Sequence, residues 1–104
     1  MRKLTLTQYI IEAETKFGKN RLNWKFVCPA CGHIMSTADY LAAGAPEGAV
    51  GFSCIGRWNN LGKRGAFDNG KPGPCDYAGG GLICLNPVEI EGRGRYFELA
   101  EVER

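Results

Sequence analysis

The stretch Phe26-Val27-Cys28-Pro29-Ala30-Cys31-Gly32-His33 decides how this chain is read. Two cysteines two residues apart, with Pro after the first and Gly after the second, describe a tight turn. Such a turn aims both sulfurs at one point. The backbone N–H groups that follow Cys28 are expected to face its sulfur, and Gly32 can take a positive φ that lets the chain turn away. Trp24, Phe26 and Val27 are strand-forming residues leading in. Two thiolates leave a metal ion half coordinated, so the chemistry depends on what joins them.

The candidates are Cys54, Cys75, Cys84 and the single histidine, His33. Cys54 closes a predicted strand and precedes Ile55-Gly56-Arg57, which looks like the first half of a second knuckle. Cys75 leaves a Pro-rich turn and precedes polar Asp76. Cys84 lies between Ile83 and Leu85 and reads as a small buried hydrophobe. The expected centre is therefore Cys28, Cys31, Cys54 and Cys75 arranged tetrahedrally around Zn²⁺. The alternatives are Cys84 in place of Cys54 or Cys75, or His33 as a ligand. Four thiolates leave the centre net negative, a charge that backbone N–H groups and cations such as Lys25 or Arg57 would relieve. A closed four-sulfur shell offers no position to water or substrate, so the expected role of the metal is structural.

Size and composition suit a metal staple. The 104 residues make one domain, 1–104, with 44% hydrophobic residues and fifteen glycines that are costly to order. Structural zinc contributes roughly 10–16 kcal/mol of apparent binding free energy in small peptides, which offsets a modest core. No segment approaches the ~18–20 apolar residues that span a membrane. The residues after Arg2 and Lys3 are too polar for a signal peptide. A cytoplasmic location follows as the expectation, with reduced thiols and an odd number of cysteines that suits metal better than disulfides.

Along the chain, Thr5 with Gln8 forms a capping box for a helix over 5–18. Leu6, Tyr9, Ile10, Ala13 and Phe17 share one face, which reads as core, and Gly18 ends it. Asn23 to Val27 reads as a strand. Ser36 with Asp39 caps a short helix, Ala38 to Ala43, stopped by Gly44. Ala49 to Cys54 alternates like a strand. The metal knuckles span 26–84. Val88 to Glu91 and Arg95 to Leu99 read as a hairpin within 88–99, joined by Gly92-Arg93-Gly94. The fold class is α+β, with antiparallel β-hairpins and two short helices.

Charge is small overall, formally +2, but unevenly spread. The first twenty-five residues carry Arg2, Lys3, Lys16, Lys19, Arg21 and Lys25 against Glu12 and Glu14. The Gly- and Pro-rich stretch 55–74 carries Arg57, Lys63, Arg64 and Lys71 against Asp68. If these regions converge, they make a patch for phosphates or for an acidic protein surface. Trp58 either seats this loop on the core or serves, with Phe67, as a stacking platform. Arg57, Trp58, Lys63, Arg64 and Lys71 are the candidate partner-binding residues.

Catalysis has little to stand on. The chain has one His, no G-x-S-x-G elbow and no phosphate-binding loop with its Lys-Ser/Thr in register, and its carboxylates are scattered. Cys28-Pro-Ala-Cys31 superficially matches a thiol redox motif. A redox cysteine opens a helix within a βαβ unit, and neither surrounds this pair.

The order strand, C-P-A-C-G-H, helix, strand, C-I-G-R-W, basic loop, G-P-C-D-Y-A-G-G-G-L resembles small zinc-ribbon-like proteins of bacteriophages and prophages, over about Trp24 to Pro87. The resemblance implies a small zinc-ribbon-like domain and a non-catalytic accessory protein. Its partner would be a macromolecule: a host protein or nucleoprotein complex that handles nucleic acid or defence, which it could inhibit. A nucleic-acid-binding zinc ribbon with a role in replication or transcription is the alternative. No membrane and no small-molecule substrate is expected.

Overall fold

The computed structural model describes residues 2–59, 75, 77–80 and 84–101. Lys63, Arg64, Phe67 and Lys71, the Asp68-Asn69-Gly70 turn signal and the first half of the apolar run, Leu82 and Ile83, lie outside them. Among the described residues, six short strands form two three-stranded sheets, with three short α-helices. The α+β class with antiparallel hairpins is as the sequence predicts. A third helix and one parallel strand pair are additions.

The two predicted helices form because their caps are written locally. Helix α1, Leu6–Phe17, starts at Thr5, whose Oγ1 accepts from the Gln8 N–H (3.1 Å) while Gln8 Oε1 accepts from the Thr5 N–H (2.9 Å). Gly18, at φ +89°, closes it. Tyr9 and Ala13 are buried, and Leu6, Ile10 and Phe17 pack partly against the core. Helix α2, Thr37–Ala42, has the same reciprocal box from Ser36 and Asp39. It buries Tyr40 completely, and the Tyr40 hydroxyl donates to the Ser53 carbonyl at 2.7 Å. Thr5→Ala should destabilise the protein by about 1 kcal/mol, the usual cost of a lost N-cap. Thermal or denaturant unfolding would measure it, and no change would mean α1 is held by packing alone.

Strand β1, Arg2–Leu4, pairs parallel with β4, Val88–Ile90, which pairs antiparallel with β5, Gly94–Tyr96. The second sheet sets β2, Lys25–Val27, between β3, Ile34–Ser36, and β6, Glu98–Leu99. The predicted C-terminal hairpin is present, but its second arm divides at Phe97. Tyr96 pairs in one sheet and Glu98 in the other. Phe97 is fully buried at this junction; its N–H donates to the Gly51 carbonyl (2.7 Å) and its carbonyl accepts from the Tyr9 hydroxyl (2.7 Å). One segment thus ties both sheets to α1.

Two predicted elements differ. Residues 49–54 are not a strand. A 3₁₀ turn, Glu47–Ala49, runs into further turns in which the Ala49 carbonyl accepts from the N–H groups of both Phe52 and Ser53. Gly51 sits there at φ +68°, against the Phe26 ring, where a side chain would crowd. The alternation of apolar residues reflects turns folded onto the core rather than a pleated ladder. The strand predicted over Asn23–Val27 is shorter, because Arg21–Asn23 forms a 3₁₀ turn capped by the Asn20 side chain.

Asn86 is a fully buried polar side chain whose hydrogen bonds are met. Its Oδ1 accepts from the Tyr77 hydroxyl (3.0 Å), and its Nδ2 donates to the carbonyls of Arg95 (3.0 Å) and Phe52 (3.3 Å). A satisfied buried amide fixes register where an apolar residue would not. It holds the segment entering β4 against residues 52 and 77, close to the cysteines. Among the described residues, no helix is long and apolar enough to cross a membrane.

Candidate metal centre

The knuckle Cys28–His33 is the turn between β2 and β3, whose pairing runs from Lys25↔Ser36 to Val27↔Ile34. The Cys28 N–H donates to the His33 carbonyl (3.0 Å), and the Gly32 N–H donates to the Cys28 carbonyl (2.8 Å). Gly32 has φ +78°, the left-handed conformation that a turning chain needs there. The second pair comes from separate segments. Cys54 precedes helix α3, Gly56–Asn59, and its N–H donates to the Tyr77 carbonyl (2.9 Å), drawing Tyr77 alongside. The Cys75 N–H donates to the Cys54 sulfur at 3.3 Å.

These contacts bring Cys28, Cys31, Cys54 and Cys75 together, with all four sulfurs within 4.8 Å of one another. Cys28 Sγ lies 3.8 Å from Cys75 Sγ, and Cys31 Sγ lies 3.8 Å from Cys54 Sγ. A tetrahedron with metal–sulfur bonds of about 2.3 Å has edges of about 3.8 Å, so the thiols fit a tetrahedral ion. They are too far apart for disulfides, whose sulfurs stand about 2.05 Å apart. Cys28, Cys54 and Cys75 are buried, and Cys31 is partly exposed.

Backbone donors supply the charge relief expected of such a site. N–H groups of Ala30 and Cys31 reach the Cys28 sulfur, that of Gly56 reaches Cys54, and that of Tyr77 reaches Cys75. Hydrogen bonding from Cys28 pulls the Cys54 thiol down to about 5, and the N–H groups of Gly56 and Cys75 add to this. That same shared proton, with burial, holds Cys28 well above the ordinary thiol range. Burial pushes Cys75 up to about 12. One thiolate forms readily and its neighbours resist ionising beside it, which is the imbalance a divalent cation removes.

Gly56 is a part of the site that its sequence position alone does not reveal. A Cβ there would run into the Cys75 backbone, its carbonyl oxygen first. Neither His33 nor Cys84 belongs to the cluster among the described residues. Cys84 is half-buried beside Tyr77 rather than sealed in the core.

Of the candidate partner-binding residues, Arg57 and Trp58 lie on α3. Arg57 is exposed, Trp58 is half-buried, and the guanidinium stands 5.7 Å from the Trp58 ring centroid. Lys63, Arg64 and Lys71 are outside the described residues. The N-terminal cations are less available than their number implies. Arg2 pairs with Glu12 (2.8 Å) and Glu98 (3.0 Å), and Lys16 with Glu101 (3.5 Å) and Glu12 (4.0 Å). Acidic residues from the end of the chain account for two of these contacts, a pairing that charge counts along the sequence do not show.

Fold and site together define a small α+β protein with a buried four-cysteine centre able to hold a metal ion. The chain belongs to the VVA0879-like family, whose model matches residues 5–100. No curated protein and no solved structure matches it.

Proposed function

We propose that the protein is a non-catalytic binding module of a bacteriophage or prophage, stapled by one structural Zn²⁺. In this reading it presents the segment between Cys54 and Cys75 to a host protein or nucleoprotein complex and acts by occupying it. The observation that carries the reading is the convergence of both roots of that segment on one four-sulfur centre. A metal closed in by four sulfurs holds shape and leaves no coordination position for a reaction. The segment itself carries Lys63, Arg64 and Lys71, cations suited to phosphates or to acidic side chains. Zinc is favoured by the tetrahedral all-sulfur set; iron is the other ion that this set takes, and its thiolate complex would be coloured.

Replacing Lys63, Arg64 and Lys71 together by Ala, with Arg57 kept in place over Trp58, tests the display. Partners retained from host lysate by the tagged protein should be lost from the triple variant, with thermal stability unchanged. Identical retention rejects the role of the segment. A nucleic-acid-binding ribbon is the second reading, favoured by the same cations. It requires direct shifts of single-stranded or duplex DNA or RNA that weaken steeply as salt rises.

A further inference from the structure

The four sulfurs of the centre are not equally protected. Cys28 is 1% exposed and Cys54 and Cys75 are fully buried, whereas Cys31 is partly exposed. The turn that carries it stands at the surface. Pro29, Ala30 and His33 are half-buried, Gly32 is exposed, and nothing lies within 4 Å of where a Gly32 Cβ would be. The three buried sulfurs also receive backbone N–H groups: those of Ala30 and Cys31 on Cys28, of Gly56 and Cys75 on Cys54, and of Tyr77 on Cys75. Burial and hydrogen bonding together restrain these three.

A thiolate, not a thiol, attacks an electrophile, and a cysteine that ligates a metal is already a thiolate. Reactivity then falls to the sulfur that a reagent can reach. A partner for it stands close by, since Cys54 Sγ lies 3.8 Å from Cys31 Sγ. The two must close to about 2.05 Å to form a bond. The surface turn is the part free to move, because the Cys54 backbone is tied to the Tyr77 carbonyl at 2.9 Å.

We propose that Cys31 is the site at which hydrogen peroxide oxidises this protein, and that Cys54 completes the disulfide. The Cys31 sulfur attacks one peroxide oxygen: an S–O bond forms, the O–O bond breaks, and hydroxide leaves and is protonated to water. The Cys54 sulfur then attacks the Cys31 sulfur: the S–S bond forms, the S–O bond breaks, and a second hydroxide leaves and is protonated. Two thiolates have given up two electrons, and the peroxide has become two waters. Cys28 and Cys75 alone do not complete a tetrahedral site, so the metal is lost as the disulfide forms. The Cys54 root of the 55–74 segment is then tied covalently to the β2–β3 turn, while the Cys75 root is released. Reduction by a thiol, with fresh metal, reverses both. The proposal rests on the metal staple of the reading above and on no particular partner.

The test treats zinc-loaded protein with hydrogen peroxide, following release with a chromophoric zinc indicator and mapping the cysteines by mass spectrometry. Dimedone, which traps sulfenic acid, should mark Cys31 ahead of the other cysteines. Without it, zinc release should keep pace with a disulfide between Cys31 and Cys54, and dithiothreitol with Zn²⁺ should restore the original melting curve. Cys31→His keeps a fourth ligand but removes the sulfur that peroxide reaches, so release should slow about tenfold, the remaining sulfurs being buried. If that variant folds poorly, the parent protein still decides, since the trapped residue and the disulfide are both read in it. Loaded protein that keeps its zinc in peroxide overturns the proposal. So does trapping first at Cys28, Cys54 or Cys75, or a disulfide between Cys28 and Cys31. Protein that takes up no metal fails earlier, and overturns the staple along with this site.

Discussion

Removing the metal is expected to unfold the protein. With excess chelator the cooperative thermal transition should disappear or fall far below that of the loaded protein, and one equivalent of Zn²⁺ should restore it. The size of the effect follows from comparing two quantities. A structural zinc site contributes roughly 10–16 kcal/mol in small peptides, whereas a whole domain is stable by about 5–15 kcal/mol. Three of the four sulfurs are buried, so without the ion they would be left as crowded thiols instead of shared ligands. Cys54→Ser should have nearly the same consequence, because Cys54 also receives the N–H groups of Cys75 and Gly56. Cys84→Ser is the internal control and should shift stability by under ~1 kcal/mol, as befits a half-buried position. Acid should mimic the chelator. Metal binding displaces thiol protons, so protonation favours release and the stabilisation is lost as pH falls. A melting curve unchanged by chelator, or a Cys54→Ser protein as stable as the parent, would remove the metal from the architecture.

Much of this architecture was written where the residues that cause it are close in sequence. Thr5 and Gln8, and Ser36 and Asp39, are three residues apart, and each pair caps a helix by itself. Cys28, Cys31 and Gly32 likewise need only one turn to define their knuckle. The features that could not be read are those settled across the length of the chain. Strand β1 is three residues long, too short to show a period, and exists because Val88–Ile90 offers it an edge. Phe97 divides a strand that its own neighbours would continue, since Gly51 and Tyr9 bind its backbone from elsewhere. Residues 49–54 have an alternating pattern that suits a strand, but their hydrogen bonds are made within turns. The N-terminal cations have a local excess that Glu98 and Glu101 reduce only once the fold brings them near. Even the four-sulfur set needed Asn86 and the Cys54–Tyr77 backbone bond to carry Cys75 to its position, and neither is visible as a motif.

Gly56→Ala should be the methyl addition that acts on the centre most directly, through the backbone of one of its ligands. The added Cβ meets the carbonyl oxygen, carbonyl carbon and nitrogen of Cys75. All three are backbone atoms of a residue whose sulfur stands 3.8 Å from that of Cys28. A flexible side chain could swing away; this backbone can yield only by moving Cys75 or by displacing Gly56 itself, whose N–H serves the Cys54 sulfur. Either adjustment opens the tetrahedron. Overpacking alone costs about 1–3 kcal/mol, and a distorted ligand set adds a loss of metal affinity, so competition with a chromophoric chelator should show weaker zinc binding as well as a lower melting temperature. Two glycines separate this from other causes. Gly44 has φ +78° and nothing within 4 Å of its would-be Cβ, so Gly44→Ala measures backbone strain alone, about 1–2 kcal/mol. Gly48 has neither positive φ nor a neighbour, and Gly48→Ala should be close to neutral. Only Gly56→Ala should change metal affinity. Were the Gly44 variant to lose zinc equally, the effect would be one of global stability, and the close approach of residues 56 and 75 would not be what holds the second pair of sulfurs in register.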